Sequence, residues 1–444
     1  MAYVFIVDPY SSGNQLAPAF FKDGALPIYV RSNLALGARS LKGIHPSDFI
    51  SDLPAEIQQR LLSGDKTVIE QAIQDAMKHL REVFEKDVSF YIIPGGEAGV
   101  TLAEKLSAKF DLPTYDPRAI KSHRSKPHMH WEVRKAGIEI IPMTIAHNAE
   151  EALHWIRHGL GGIEKAGGVV VKTGTSASGT QVIPCYSEAE VITAVNSILA
   201  TRSNFGLENK SVMIQPFVKG REFAVNSVSF LEANVLHTVI TDVWEYFKPA
   251  PPAYGYEVLL SPDEIPPGLL DKHHGVKVAL KWRKGPGHGE YFVTPEGNIF
   301  LGEIAARMYG AGNTDISGAS TLYGQVRGTV DSLLHPDEII SRSFKPYTLT
   351  HRAAVVNINA PFSEVPLFAN RQIHSVLEKE LGPDLYKAIY FAEDGERLNE
   401  STNLIDTVAQ IEIRVPNEPG SKEKLNRLIE RVNELQNAFW RLNP

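Results

Sequence analysis

The chain has 444 residues, with 45 Lys and Arg against 52 Asp and Glu for a formal charge of -7, and a globular 43% apolar and 22% charged composition. At about 150 residues per domain that suggests about three domains, and the mild acidity argues against a nucleic-acid binder. No apolar run approaches the ~18 residues of a membrane span, the N-terminal apolar stretch stops at Asp8-Pro9, too short for a signal peptide, and the single Cys185 excludes an intrachain disulfide and suits a reducing, cytoplasmic setting.

Tyr3 to Val7 is a compact apolar run ending at Asp8-Pro9-Tyr10-Ser11-Ser12-Gly13, and Val88 to Ile93 ends at Pro94-Gly95-Gly96-Glu97. An amphipathic stretch follows from Ala98 to Phe110, and residues 66–86 read as another amphipathic helix. Buried strand, glycine-rich turn and helix is the order of an open parallel sheet, whose ligands lie beyond the strand C-termini. The first turn lacks G-x-G-x-x-G spacing, so no dinucleotide fold is predicted. Residues 1–112 thus read as an α/β domain.

From 113 the texture becomes α+β. Arg118 to Lys135 is basic and histidine-rich, Gly168 to Lys172 reads as a strand, and Thr173 to Thr180 consists almost wholly of small residues. Further strands are predicted at Val212–Ile214, Phe223–Phe230, Val235–Val243 and the arms of 290–303, with loops at Pro249–Pro252 and Ser261–Pro267. The last segment has strands at Ala353–Ile358 and Val408–Val415. It closes on a helix with Leu425, Leu428, Ile429, Val432, Leu435 and Phe439 on one face.

Four stretches suggest chemistry. Pro295-Glu296-Gly297-Asn298 is a turn between two apolar arms, and with Glu296 and Gly297 at its centre Glu290 falls directly opposite Glu303. Two carboxylates so close repel unless a cation lies between them, and a hard divalent ion such as Mg²⁺ brings phosphate oxygens with it; two solvated carboxylates on an exposed hairpin is the competing reading. Arg307 follows four residues on, its guanidinium suited to phosphate or carboxylate, or to a surface ion pair. Lys172 and the small residues 173–180 offer a charge and free backbone N–H groups to phosphates, without a Walker ending, though such loops are also plain connectors. Gln215 to Glu222 reads as a hinge for a purine, Glu222 accepting from ribose hydroxyls, or as a turn with a charged rim. His123, His128 and His130 sit among Lys121, Arg124, Lys126 and Arg134, which favours an anion over a transition metal. His273-His274 reads as a loop pair without a partner, and nothing marks Cys185 as an activated thiolate.

Taken in order, these pieces resemble the ATP-grasp ligases, specifically the amino-acid ligase branch that includes bacilysin-type dipeptide synthetases. The two N-terminal turns resemble those of that family's leading domain. Arg124-Ser125-Lys126 with Met129 is similar to its Arg-Asp-Lys segment, Lys172 to its second lysine, residues 214–223 to its hinge, and Asp242 to Tyr246 to a segment common in the branch. Most specific are Gly285-Pro286-Gly287-His288-Gly289-Glu290 and, thirteen residues after Glu290, Glu303-Ile304-Ala305-Ala306-Arg307. Ser125 stands where an aspartate is usual, and Ala305 where many relatives carry a metal-binding asparagine.

The resemblance implies an α/β and α+β multidomain chain: a leading open parallel α/β domain over 1–112, an ATP-grasp small lobe over 113–205, a large lobe with the metal site over 206–344, and a C-terminal α+β cap over 345–444. It implies ATP, Mg²⁺ (two ions, with Mn²⁺ as an alternative), a small-molecule carboxylate and an amine, amino acids among them, and a homodimer as in many relatives. A non-amino-acid scaffold acid is the alternative substrate, and a silent nucleotide-binding regulator the rival function. Glu290 and Glu303 are implied as metal ligands and Arg307 as the catalytic arginine, with His288 near substrate. Lys126, Lys172, Ser176, Ser178, Gly179, Gln215, Phe217, Val218 and Glu222 are implied for the nucleotide.

Overall fold

The computed structural model describes residues 1–32, 53–84, 87–112, 116–174, 179–203, 206, 208–248, 254–311 and 313–443. The expected loop at Pro249–Pro252 therefore falls outside the described residues. Among the described residues, no helix is long and apolar enough to cross a membrane.

The first sheet is parallel, in the order Ala25–Val30, Ala2–Val7, Ser89–Pro94. Ala2–Val7 and Ser89–Pro94 match the predicted strands within a residue or so at each end; Ala25–Val30 is an addition that Pro27 obscures in the sequence. Both faces are covered, by the helices Leu16–Lys22, Lys66–Phe84 and Val100–Lys109, which is why the strands read as unbroken apolar runs. The same core takes in Met308, Val330 and Leu333, so this sheet docks on the segment that follows Arg307.

A four-stranded antiparallel sheet runs in the order Thr144–Ala146, Val212–Pro216, Val169–Thr173, Val182–Cys185. The helices Ala149–Gly159 and Glu188–Ala200 cover it, each opened by a side-chain cap from Asn148 or Ser187. Val212–Pro216 pairs back across the expected boundary at 205/206 and so belongs to this sheet.

The largest sheet has eight strands, each antiparallel to its neighbours: Ile299–Ala305, Lys284–Val293, Arg221–Glu232, Val235–Phe247, Tyr256–Leu259, His351–Ile358, Ala409–Pro416, Leu385–Tyr390. It passes through the expected boundary at 344/345 without a break, because Tyr256–Leu259 pairs with His351–Ile358. The C-terminal segment thus extends this sheet and packs its helix Ser421–Glu434 on it.

Side-chain alternation along this sheet does the positioning. Register places His288, Asn226 and Asp242 in one row, Glu303, Glu290, Ala224 and Trp244 in the next, and Phe292, Glu222, Tyr246 and Glu257 in a third, all on one face. On the other face lie Gly287, Gly289 and Tyr291, over the helix Leu269–Ala279. A Cβ on Gly287 would come 3.1 Å from Lys277 and Trp282, and one on Gly289 2.8–3.1 Å from Tyr291 and His273. The alternating glycines of Gly285 to Glu290 therefore face a packed helix while His288 and Glu290 face the cleft. His273 is no loop residue: it is buried in that helix, bonded to Ser227 Oγ at 2.8 Å and to the Tyr291 hydroxyl at 3.0 Å.

Candidate active site

Glu290 and Glu303 are directly opposed, by a route other than the predicted one. The turn holds three residues: Thr294 N–H donates to the Asn298 carbonyl at 2.9 Å and Gly297 N–H to the Thr294 carbonyl at 2.9 Å, with Gly297 at φ 85°. That offsets the register by one along Tyr291–Val293, and a bulge at Gly302 restores it at Glu290. A helix braces the bulged strand. From Lys126–Lys135, His130 Nε2 bonds the Gly302 carbonyl at 3.2 Å, and Met129 Sδ accepts from Ile304 N–H at 3.3 Å. Burial, with Lys172 nearby, lowers His130 to about 3, so its ring is neutral and donates from Nε2.

The same helix begins with Lys126, whose Nζ lies 2.7 Å from Glu303 Oε2. Its N–H donates to the Gly174 carbonyl at 3.0 Å, which ties it to the strand bearing Lys172. Burial followed by Lys126 lowers Lys172 to about 8. For Glu303, burial pushes the carboxyl up but Lys126 and Lys172 outweigh it and hold it down. Arg307 donates from Nε to Glu97 Oε2 at 2.9 Å and from Nη1 to the Met308 carbonyl at 2.8 Å.

These groups line one cleft: Lys126, Lys172, Gly179, Glu222, His288, Glu290, Glu303 and Arg307 all face it. Ser176 and Ser178 lie outside the described residues. A second cavity of about 230 Å³ joins it on the small-sheet side, walled by Ile141, Val170, Val182, Pro184, Phe217 and Phe292. Gln215, Phe217, Val218 and Glu222 border it, and Gln215 Nε2 is buried there with no hydrogen-bond partner among the described residues. Apolar walls with an amide and charged groups at their border fit a heteroaromatic base joined to a polar sugar and phosphates. Glu222 is paired with Lys248 Nζ at 2.7 Å, a partner not foreseen, while Lys248 sits 4.0 Å above the Tyr254 ring.

The sequence reading also missed the groups at the far end of the cleft. Glu257 is buried, accepts from Asn313 Nδ2 at 3.0 Å and from the Tyr309 hydroxyl, and burial raises its carboxyl to about 8. Tyr309 stacks on His288 with centroids 4.8 Å apart, and Leu404 reaches in from the C-terminal segment. Glu257 lies on a short strand after 249–253, and nothing near it in the chain marks it; only cross-strand register brings it to Glu222 and Glu290. The predicted anion-facing histidine cluster is not one surface. His123 and His130 are buried framework, and His128 packs edge-on against Trp131. Cys185 is buried and its thiol is raised to about 11, as expected of an inert side chain.

The donor set suits a hard cation. Two opposed carboxylates supply oxygen ligands and leave the other positions for phosphate and water, the usual Mg²⁺ arrangement, whereas soft thiolate ligands are absent among the described groups lining the cleft.

An antiparallel sheet carrying paired carboxylates, with an arginine just past its edge strand, facing a small sheet that carries a lysine and a base-sized slot, is the ATP-grasp fold, whose carboxylate–amine ligases use ATP to form C–N bonds. The chain has that fold and is similar to several of its members. Dapdiamide A synthase of Enterobacter agglomerans is 25% identical over 366 residues, covering 81% of this chain and 80% of that protein. The crystal structure of an L-amino acid ligase from Bacillus licheniformis superposes with a TM-score of 0.69 at 14% identity, over 97% of each chain. The carboxyaminoimidazole ribonucleotide synthase of Aspergillus clavatus, solved with ATP, gives 0.63 at 14% identity, over 97% of this chain and 98% of that one. No protein-family model matches the sequence.

Proposed function

We propose that the chain is an ADP-forming ligase that activates an amino-acid carboxylate as an acyl phosphate and joins it to the amine of a second amino acid. The observation that carries this reading is the pair Glu290 and Glu303 bracketed by Lys126, Lys172 and Arg307, five charged groups from three segments on one cleft. Such a site aligns and neutralises anions; the chemistry it suits is phosphoryl transfer, which needs little covalent help from the protein.

In the first half-reaction a substrate carboxylate oxygen attacks the γ-phosphorus of ATP, and the bond to the β-phosphate oxygen breaks to release ADP. In the second, the amine nitrogen attacks the acyl carbon, orthophosphate leaves, and the amine proton departs with the leaving group or to solvent. Lys126 and Lys172 hold the α- and β-phosphates, and Gln215 and Phe217 hold the base. Arg307 steadies the transferring phosphoryl group and the oxyanion. Mg²⁺, held by Glu290 and Glu303, neutralises phosphate charge when bound; two ions, or Mn²⁺ in place of Mg²⁺, belong to the same proposal. Exclusion of water from the cleft protects the acyl phosphate, which water would otherwise hydrolyse.

The test is orthophosphate release from ATP with Mg²⁺ across pairs of acids and amines, with products read by mass spectrometry. The expected result is ADP, phosphate and an amide, dependent on both co-substrates and abolished in Glu303→Ala. Turnover unaffected by that substitution would place the chemistry elsewhere, and tight ATP binding without turnover in any pair would favour the regulator.

A further inference from the structure

Glu97 sets a negative charge against Arg307, which lines a cleft that must receive a polyphosphate, and the fold fixes it there. It follows the strand Ser89–Pro94 at a turn packed backbone to backbone on the neighbouring strand's end. A Cβ on Gly95 would fall 2.3 Å from Pro9 Cα, and one on Gly99 2.2 Å from the Val7 carbonyl oxygen. The position of Glu97 is thus set by main-chain contact and not by a pliable loop. Its carboxylate forks between two arginines: Oε2 accepts from Arg307 Nε at 2.9 Å, and Oε1 lies 3.2 Å from Arg124 Nη1. All three side chains are largely buried, at 14–16% exposure, where each bond counts for more than it would in water. Burial would push the Glu97 carboxyl up, but Arg124 and Arg307 hold it below the usual carboxylate range.

A guanidinium has five N–H donors in a rigid plane. Glu97 takes the Nε donor of Arg307 and the Met308 carbonyl takes one from Nη1, which fixes that plane at two of its three nitrogens and, among the described residues, leaves the other donors for the cleft that Glu290 and Glu303 line. Met308 is itself anchored in the core of the first sheet. The other arm of the fork holds Arg124, two residues before Lys126. One carboxylate from the leading sheet thereby touches both cationic motifs, and the triad keeps a net positive charge.

We infer that Glu97 is a positioning residue that orients Arg307 for phosphoryl transfer and couples the leading sheet to the chemistry. This rests on the ligase reading. The competing role is a direct contact with a substrate ammonium, and kinetics separate the two. In the full-length protein, Glu97→Gln should lower kcat about 10- to 100-fold and leave the KM for ATP and for both co-substrates within about threefold. In a background of Arg307→Lys the same change should add almost nothing, because the arginine it orients is gone. Glu97→Asp, which keeps the charge but shortens the reach, should recover part of the loss; it also serves as the test if the Gln variant lowers the melting temperature by more than a few degrees. A KM raised more than tenfold for one co-substrate with kcat intact would make Glu97 a substrate contact. A full-sized loss that persists in the Arg307→Lys background would place its action elsewhere. Wild-type protein that cleaves no ATP with any pair would sink the ligase reading and this assignment with it, whereas active wild type with an equally active Glu97→Gln variant would sink the assignment alone.

Discussion

The amide of Asn226 donates from Nδ2 to Asp242 at 2.5 Å, so its Oδ1 is the atom turned to His288 Nδ1 at 2.8 Å. An oxygen there requires a proton on Nδ1, which leaves Nε2 facing Glu290 Oε1 at 3.4 Å. Asp242 is anchored by Thr241 and by the Trp244 indole, each at 2.8 Å, so the orientation of His288 is set three residues deep. Asn226→Leu should therefore lower kcat about 10- to 100-fold with little change in the KM for ATP, and the loss should match that of His288→Ala and not add to it; steady-state phosphate release checks both. Lys172 supports a prediction of a different kind. Burial and Lys126 bring its ammonium down to about 8, so it is charged below that pH and neutral above it. A polyphosphate favours the charged form, and ATP affinity should accordingly fall as pH rises from 7 to 9, by at most about tenfold per pH unit above 8. Lys172→Arg keeps its charge throughout and should flatten the profile in calorimetric titrations. Parallel profiles in the two proteins would rule out Lys172 as the source.

Along the hairpin, residue spacing placed Glu290 opposite Glu303, but through a two-residue turn and a regular ladder. The structure has a three-residue turn and a compensating bulge, and the two offsets cancel. The outcome was legible because turn residues and apolar arms are local signals. The bulge was not, since it depends on Phe292, His130 and Met129, the last two more than 160 residues away in the chain. The same limit hid Glu97, whose partner Arg307 is 210 residues distant, and Glu257, which only the order of strands brings to the cleft. His273 was misread for a related reason: its partners Ser227 and Tyr291 lie on strands either side of it in sequence, so its helix looked polar and partnerless. Strands with continuous apolar runs and the amphipathic closing helix, by contrast, carry their signal within themselves. Two glycines turn this into a test. A Cβ on Gly302 would come 3.1 Å from the Phe292 ring and 3.2 Å from the Glu290 carbonyl oxygen, so Gly302→Ala should disturb the facing carboxylates and reduce ATP turnover at least about tenfold with a small loss of stability. Gly289→Ala meets Tyr291 and His273 on the opposite face and should instead destabilise by about 1–3 kcal/mol, read in urea unfolding. Equal effects of both on stability and turnover would remove the distinction between the two faces.

The net charge of -7 describes the surface, while Lys126, Lys172 and Arg307 concentrate positive charge in the cleft, and the segments that carry them must stay registered to one another. One buried contact joins three of the segments involved. His123, three residues before Lys126, bonds from Nδ1 to Glu104 Oε1 at 2.6 Å, on the helix Val100–Lys109 of the leading sheet. From Nε2 it bonds the Leu280 carbonyl at 2.8 Å, at the end of the helix under the carboxylate strand. With Glu104 ionised both partners are acceptors, which favours a proton on each ring nitrogen and hence the imidazolium form of His123. Burial opposes that charge, yet Glu104 and the carbonyl outweigh it and raise the pKa above its ordinary value. A raised folded-state pKa contributes stability that is fully present below the unfolded value of about 6.5 and is lost as pH rises through the folded value. Buried Lys277 works in the opposite sense, since burial lowers its ammonium and its folded form gains as pH rises, so the wild-type profile alone mixes the two. The difference between wild type and a His123→Gln, Glu104→Gln double variant isolates the pair. Wild type should exceed the double variant most at pH 6, with the gap narrowing above neutrality, whereas Glu104→Gln alone should lose about 3–5 kcal/mol because it strands a buried cation. Urea unfolding from pH 6 to 9 measures this, and a gap that stays constant with pH would mean that His123 does not titrate within that range.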